Sequence, residues 1–222
     1  MGRFRYSGKN WEGRDWTVGD GTKAFGQQIE ASHPKRRGTD GTVASKGHDQ
    51  GSPTSDHRPR PFVGPGIVRA IDVGVGSMSE GMGILEPLRL SRDKRIKYVI
   101  FHSSMFSSYP KGSTAPYTWR RYSGSNPHKT HFHKSVHPAA DRNGSVWEIG
   151  TSGGGNIMAS LEVIDTQKAL NEAGQTDFEG KKLTEDGEYG PRTHSALVKG
   201  FAGGGGTHRH PISLSGQTGE GG

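Results

Sequence analysis

The chain has 222 residues, of which 29% are hydrophobic and 36 are glycine, so we expect a modest buried core and much loop. Its 29 basic and 22 acidic residues give a formal net charge of +7, which favours a polyanionic partner: nucleic acid, an anionic membrane or an anionic cell wall. Cysteine is absent, which excludes disulfides, thiolate metal sites and cysteine nucleophiles, and leaves histidine and carboxylates to hold any metal.

The N-terminal region has no apolar stretch, so we predict neither a secretory signal peptide nor a transmembrane helix there. The first residues are polar, and we expect about residues 1–20 to form an N-terminal arm. Residues 22–32 predict a short helix, because Phe25 and Ile29 lie four apart and Pro34 follows. Residues 35–56 are polar and predict loop.

Residues 66–73 predict a short strand in which Asp72 is an acid among apolar neighbours. A buried carboxylate needs a partner, and a metal ion is one of the few that suffices. The alternative is an aspartate at a strand end that caps the next turn. Residues 74–83 predict a flexible loop, and residues 84–95 an amphipathic segment broken by Pro87.

Residues 96–102 have the clearest strand pattern of the chain, with β-branched and aromatic side chains, and predict a central strand. His102 at its end is interpreted as a packed or exposed histidine rather than a site residue. Residues 103–125 predict a long polar loop. Its aromatics and arginines suit either a groove for a carboxylate-bearing ligand or plain loop packing.

Four of the eleven histidines lie within ten residues, at His128, His131, His133 and His137. His131 and His133 alternate with other residues in a pattern typical of a strand, which places both imidazoles on one face. Two such imidazoles can share a metal, or can divide metal binding from proton transfer. A histidine cluster at the surface, like a tag, is the alternative interpretation.

His57, Asp72 and His133 are the three candidate metal ligands. Two imidazoles and one carboxylate leave a fourth position for water, which is typical of a catalytic zinc site. Bound zinc brings water within reach of deprotonation near neutral pH and polarises a carbonyl. His131 is suited to act first as the general base and then as the acid for the leaving amine, so the chemistry predicted is amide hydrolysis.

A metal-dependent nuclease is a second interpretation. It would use Asp56 and His57 together with Asn126 and either His128 or His131, and the basic charge would suit it. The Asn-Pro and His-x-His context fits poorly on the helix that such a site requires, so we favour the peptidase.

Several motifs in this order resemble the phage and actinobacterial peptidoglycan peptidases of the D-alanyl-D-alanine carboxypeptidase, hedgehog and lysostaphin-type zinc superfamily. The resemblance covers roughly residues 20–137. It is carried by Asp40-Gly41-Thr42-Val43 with His48, Ser55-Asp56-His57-Arg58-Pro59, Val68-Arg69-Ala70-Ile71-Asp72-Val73, Ile96-Lys97-Tyr98-Val99-Ile100, Trp119-Arg120, Asn126-Pro127-His128 and His131-Phe132-His133-Lys134-Ser135-Val136.

The resemblance implies zinc on His57, Asp72 and His133, with His131 as the catalytic histidine. It also implies an arginine ahead of the Asp-Gly motif that holds the substrate carbonyl or carboxylate, a role open to Arg36 or Arg37. The chain departs from the family in the long gap between His57 and Asp72 and in the loop after Asp72, and either departure could reshape the pocket.

The C-terminal region predicts a separate helical unit. Residues 150–160 are a glycine-rich linker, residues 161–203 are the unit itself, and residues 204–222 are expected to be disordered. Gly174 is expected to cap the first helix, and Pro191 to open the second. The motif that runs from Asp186-Gly187 to Thr193 is similar to the small helical peptidoglycan-binding module, with a generic helical hairpin as the alternative.

Taken together, these patterns predict an α+β fold with a small antiparallel sheet, in which residues 1–149 form a zinc peptidase domain. The resemblance implies a monomeric, endolysin-like enzyme of a bacteriophage. It would remain in the host cytoplasm until lysis and then cut the peptidoglycan of a Gram-positive or actinobacterial host. No nucleic-acid partner and no membrane insertion are expected. The alternative from another class is a wall-binding virion or structural protein without activity. Endopeptidase and carboxypeptidase activity both remain open.

Overall fold

The computed structural model describes residues 2–51, 54–60, 66–149 and 160–202. The predicted linker, apart from Ser160, and the glycine-rich tail lie outside these residues. The strands are β1 (Ser7–Lys9), β2 (Asp15–Val18), β3 (Gly66–Val68), β4 (Ala70–Gly74), β5 (Ile96–Phe101), β6 (Ser104–Ser107), β7 (Arg120–Arg121) and β8 (His131–Val136). The α-helices are α1 (Asp20–Ser32), α2 (Lys46–Gly51), α3 (Met78–Leu90), α4 (Ser160–Glu172) and α5 (Pro191–Ala202), and a 3-10 helix covers Pro138–Arg142.

The principal sheet has five strands in the order β4-β8-β5-β6-β7, and every neighbouring pair is antiparallel. This confirms the predicted α+β class with a small antiparallel sheet, and β5 is the central strand, as its apolar pattern predicts. No helix among the described residues is long and apolar enough to cross a membrane.

A second sheet is formed by β1, β2 and β3, with β3 running parallel to β2. The expected N-terminal arm is therefore a β-hairpin. Trp16 is buried in it against Val18 and Val68, whereas Trp11 remains exposed. The hairpin is held because one tryptophan supplies an apolar anchor on an otherwise polar segment.

The single strand predicted over residues 66–73 is divided between the two sheets at Arg69. The backbone N–H of Arg69 donates to the carbonyl of Asp56, so the chain leaves the first sheet there. The Arg69 guanidinium forms an ion pair with Asp141 at 2.5 Å, which ties this crossing to the 3-10 helix.

The predictions for residues 74–95 were wrong, because α3 is one helix that includes Pro87 near its end. Its first turn is capped by the hydroxyl of Ser77, which accepts from the backbone N–H of Glu80 at 3.1 Å. Gly81 is required by packing, since a Cβ there would lie 2.4 Å from the Phe101 ring. Shorter elements were also missed: α2 lies in the predicted loop 35–56, and β6 and β7 lie in the predicted loop 103–125.

One face of the principal sheet is covered by α1 and α3, and the main core lies between these helices and the sheet. Phe25 of α1 meets Phe132 of β8 and Trp147 edge to face, with ring centroids 6.3 and 5.7 Å apart. Met82 and Leu85 of α3 belong to the same buried cluster. Because side chains alternate along β8, Phe132 faces the core, and His131, His133 and Ser135 face the opposite, more polar side of the sheet.

The C-terminal helices form where they were predicted and pack directly on α3. The carboxylate of Glu86 forms ion pairs with His194 of α5 at 2.9 Å and with Arg89 at 2.8 Å, and it accepts a hydrogen bond from the indole of Trp119 at 2.5 Å. Tyr189 lies in the main core cluster. Gly174 takes a positive φ of 70° after α4, as a C-terminal cap requires.

The first prediction concerns Glu86. Burial alone would raise the pKa of Glu86, but hydrogen bonds and charge from His194 and Arg89 lower it from 4.5 to about 2. Because the folded-state pKa is lowered, the stabilisation is complete above pH 4.5 and is lost as the pH falls toward 2. It amounts to on the order of 3 kcal/mol.

We expect Glu86→Gln to be less stable at neutral pH and to lose this acid dependence, measured by urea denaturation between pH 2 and pH 7. Glu148→Gln, at an exposed position, is the matched control. An unchanged acid slope in Glu86→Gln would show that the ion pair contributes nothing.

A second prediction concerns Lys134, which is fully buried in β8 on the core side. Its ammonium lies 4.1 Å from the Phe25 ring centroid and 3.5 Å from that of Trp147, and it has no hydrogen-bond partner in the described part of the chain. Burial lowers the pKa of Lys134 well below its ordinary value, so the folded state releases a proton that the unfolded state keeps.

Stability should therefore rise with pH up to the unfolded-state pKa of lysine. Lys134→Met should remove that dependence and raise the free energy of unfolding at pH 7 by about 1–2 kcal/mol. Chemical denaturation at several pH values measures this, with Lys23→Met, an exposed position of α1, as control. A less stable Lys134→Met protein would mean that the two ring contacts outweigh the burial of the amine.

Candidate metal centre

Three segments far apart in the sequence meet at the polar face of the sheet. Asp72 lies in the middle of β4 and pairs in register with His133 of β8. His57 comes from a turn outside the sheet, and its carbonyl accepts from the backbone N–H of Ala44. Gly41 bridges to Asp72 through two backbone hydrogen bonds, so the segment that holds His57 is itself attached to the edge of the sheet.

The predicted ligand residues form one group of converging atoms. Asp72 Oδ1 lies 3.1 Å from His57 Nε2 and 3.0 Å from His133 Nδ1, and the two imidazole nitrogens are 3.1 Å apart. Both histidines are buried, whereas the side chain of Asp72 is 25% exposed and leaves the group open to solvent on one side. His57, Asp72 and His133 could therefore hold a metal ion.

The hydrogen bonds at the outer ring nitrogens orient each ring so that its other nitrogen faces the centre. His57 donates from Nδ1 to the carbonyl of Thr42 at 2.5 Å, and His133 Nε2 is hydrogen-bonded to the hydroxyl of Ser135 at 2.8 Å. Nε2 of His57 and Nδ1 of His133 thus face each other and the carboxylate. Metal-binding histidines are oriented in this way, with a hydrogen bond at the ring nitrogen that does not bind the metal.

The electrostatics of the group favour the ligand forms of Asp72 and His133. Burial opposes charge on Asp72, but His57 and His133 outweigh it and lower its pKa well below the usual range. Burial lowers the pKa of His133. Burial acts in the same direction on His57, but Asp72 offsets it and the pKa of His57 is raised. The carboxylate is therefore ionised and His133 neutral near pH 7, as metal binding requires.

His131 lies on the same face of β8 as His133, opposite Gly74 in the β4–β8 ladder. Two residues along a strand correspond to roughly 7 Å, so His131 is next to the candidate centre rather than part of it. It is partly exposed, and its ring packs against that of His128, with centroids 4.9 Å apart. The placement of His131 is compatible with the role expected for it.

His128 is a site residue that the sequence did not single out for the peptidase. Its ring lies 5.8 Å from that of His133, and its Nδ1 donates to the carbonyl of Asn126 at 2.7 Å. Burial and the neighbouring histidines lower the pKa of His128 to about 4, so it is neutral at pH 7 with Nε2 as an acceptor. The signal was its position beside the His-x-His pair.

Tyr98 and Ser135 complete the surroundings of His133. The Tyr98 ring is stacked on the His133 ring, with centroids 5.4 Å apart. The hydroxyl of Tyr98 is hydrogen-bonded to Ser135, and the hydroxyl of Ser135 is also hydrogen-bonded to His133 Nε2. Ser135 could have been found from the sequence, since it continues the His131–His133 alternation. Tyr98 could not, because it is brought there by the pairing of β5 with β8.

The two candidate arginines differ in accessibility. The Arg36 side chain is fully buried, forms an ion pair with Asp40 at 2.5 Å and lies over the Phe4 ring. Arg36 therefore holds the fold. Arg37 is exposed and lies against Gly76, just beyond the end of β4. Of the two, Arg37 is the arginine available to a ligand.

Two residues of the nuclease interpretation, Asp56 and Asn126, are engaged elsewhere. Both carboxylate oxygens of Asp56 contact Lys97, at 2.7 and 2.9 Å. The side-chain oxygen of Asn126 accepts from the backbone N–H of His128 at 3.0 Å. Asp56 does not belong to the group His57, Asp72 and His133 that could hold a metal.

None of the protein-family models, curated proteins or solved structures compared with the chain matches it. The geometry of the site and the charges around it are therefore the grounds on which a function can be argued.

A third prediction tests the orientation of His133. Ser135→Ala removes the hydroxyl that is hydrogen-bonded to Nε2 of His133 and orients Nδ1 toward Asp72. We expect metal affinity to fall about tenfold or more. Competition with a chromophoric chelator measures the affinity, and Ser125→Ala, an exposed position, is the control. Equal affinity in Ser135→Ala and the unmodified protein would show that ring packing alone orients His133.

Proposed function

We propose that the protein is a zinc-dependent peptidase that hydrolyses an amide bond in bacterial peptidoglycan. The observation that carries the proposal is the convergence of His57 Nε2, His133 Nδ1 and Asp72 Oδ1, three possible ligand atoms, with the outer nitrogen of each imidazole hydrogen-bonded elsewhere. Imidazole and carboxylate donors suit zinc, and three protein ligands leave the coordination position that catalytic sites keep for water.

The surrounding residues suit the steps of amide hydrolysis. Zinc, when bound, would supply an acidified water and polarise the scissile carbonyl. His131 would accept the proton of the attacking water and deliver it to the leaving amine, which its partly exposed position beside the ligands permits. Arg37 would contact the substrate carbonyl or carboxylate from the end of β4. The ring of Tyr98, stacked on His133, restrains the ligand while these proton transfers proceed.

The choice of peptidoglycan rests on the charge of the chain and on the helical unit formed by α4 and α5. A formal net charge of +7 is attracted to an anionic wall. In this proposal the enzyme is endolysin-like and acts as a monomer on a Gram-positive or actinobacterial wall after host lysis.

The fourth prediction is tested by a zymogram. Purified Gram-positive walls are cast in a gel, and the full chain is assayed with and without a chelator. We expect a clearing zone that disappears with chelator and returns with added zinc. His57→Ala should lose both zinc and clearing, because it removes a ligand, whereas His131→Ala should lose clearing and keep about one zinc per chain.

Each other outcome excludes part of the proposal. Loss of zinc in His131→Ala would make His131 a ligand and its role as base wrong. Binding to walls without clearing would identify a wall-binding protein without activity. Cleavage of plasmid DNA with a divalent metal would favour the nuclease interpretation.

A further inference from the structure

A cavity of about 390 Å³ lies between the edge of the principal sheet and the C-terminal helical unit. The sheet contributes Ser103, Arg121 of β7 and the segment that begins with Tyr122. The helical unit contributes Lys181 and Arg192 of the first turn of α5. Both parts of the chain are therefore needed to form its walls. We call this cavity and its extension, described below, the inter-unit cleft.

The charges around the cavity are unbalanced toward positive. Arg121, Lys181 and Arg192 all reach the carboxylate of Glu179, the first two at 3.4 and 3.6 Å. The side chain of Glu179 is 13% exposed, whereas those of Arg121 and Lys181 are 67% and 66% exposed. Donors on these two cations therefore remain accessible after Glu179 has been bound, and they favour an anionic ligand.

The cavity is adjacent to the candidate metal centre. Tyr122, which lines it, packs against the ring of His128 with centroids 5.6 Å apart. His128 in turn packs against the ligand His133 and against His131. A single histidine ring thus separates the lining of the cavity from a residue of the metal group, a distance that a peptide of a few residues exceeds.

A second cavity, of about 260 Å³, continues from the first. Ser103 and Arg192 line both, and the second cavity also receives His102 and Lys129 from the sheet side and Gln167 and Glu188 from the helical unit. Its lining combines polar side chains with the apolar Met78, Leu183 and Pro191, so it suits a peptide, which carries both amides and apolar side chains.

We infer that the inter-unit cleft binds the carboxylate-bearing part of the peptide whose amide bond lies at the metal centre. The choice of a carboxylate over a phosphate follows from continuity with that centre. A group held one ring away belongs to the molecule being cut, and in an amide-cleaving enzyme that molecule is a peptide. The inference rests on the proposed function for the identity of the ligand, but not for the existence of an anion site.

The fifth prediction uses the full chain with Arg121 and Lys181 both changed to glutamine. Both side chains are largely exposed, so the fold should be kept. The probe is an acetylated L-Ala–D-Glu–L-Lys peptide with free carboxylates, and binding is measured by calorimetry with chelator present and again with zinc. We expect the double variant to bind about tenfold more weakly than the unmodified chain, through the loss of two charge-assisted contacts.

The control double variant, Lys23→Gln with Lys168→Gln, makes the same change in net charge at exposed positions of α1 and α4 and should bind normally. The same peptide with its carboxylates amidated should bind the unmodified chain as weakly as the free acid binds the cleft variant. Equal loss in the control, or no loss in the cleft variant, overturns the inference. If the double variant binds a glycerol-phosphate polymer more weakly than the unmodified chain does, but binds the peptide equally well, the assignment to a carboxylate is overturned.

The two proposals fail in different ways. A chain that clears walls but binds the peptide equally well in the cleft variant retains the proposed function and loses the cleft. A chain that binds the peptide through Arg121 and Lys181 but never clears walls retains the cleft and loses the proposed function.

Discussion

The mutual approach of Asp72, His57 and His133 is the constraint around which the rest of the structure is arranged. Two imidazole nitrogens and one carboxylate oxygen lie within about 3 Å of one another, close enough to share one metal ion. The β4–β8 ladder supplies two of the three atoms at fixed separation. The third atom, Nε2 of His57, is positioned by the hydrogen bond from Nδ1 of the same ring to the Thr42 carbonyl. The fold therefore holds the three possible ligand atoms together.

The two faces of the principal sheet support this arrangement in opposite ways. The core face is filled by Phe25, Phe132 and the helices that cover them. Lys134, between His133 and Ser135, points to this apolar side and lies buried against two aromatic rings. The polar face carries the candidate ligands, Ser135 and Tyr98. Alternation along one strand thus separates the residues that hold the fold from those suited to chemistry.

Much of the candidate site could be predicted from the sequence, because strand alternation and residue chemistry are local signals. His131–Val136 reads as a strand with His131 and His133 on one face, and the structure forms it over those residues. The placement of His57 could not be derived from periodicity, since it lies in a turn. Tyr98 is brought to the site by the pairing of β5 with β8, and no local pattern points to it, whereas His128 lies close in sequence to the His131–His133 pair.

The elements that were wrongly predicted from the sequence also have physical explanations. Residues 78–90 were predicted as loop and broken helix because Gly81 and Pro87 weaken helical propensity. Tertiary packing outweighs that weakness, since Gly81 makes room for Phe101, and the cap formed by Ser77 with Glu80 was the signal that could have revealed the helix. The strands β6 and β7 are too short, at four and two residues, for alternation to be recognised.

The ion pair between Glu86 and His194 joins α5 to α3, which affects how the chain would bind to a solid polymer. With Tyr189 in the shared core, α5 and α3 are joined by buried contacts rather than by a tether alone. Under the proposed function, a chain bound to the wall through its C-terminal helices would hold its metal site at one height and one angle above the polymer. The bonds within reach would be those at that distance, and another bond would be reached by release and rebinding rather than by rotation about the bound helices.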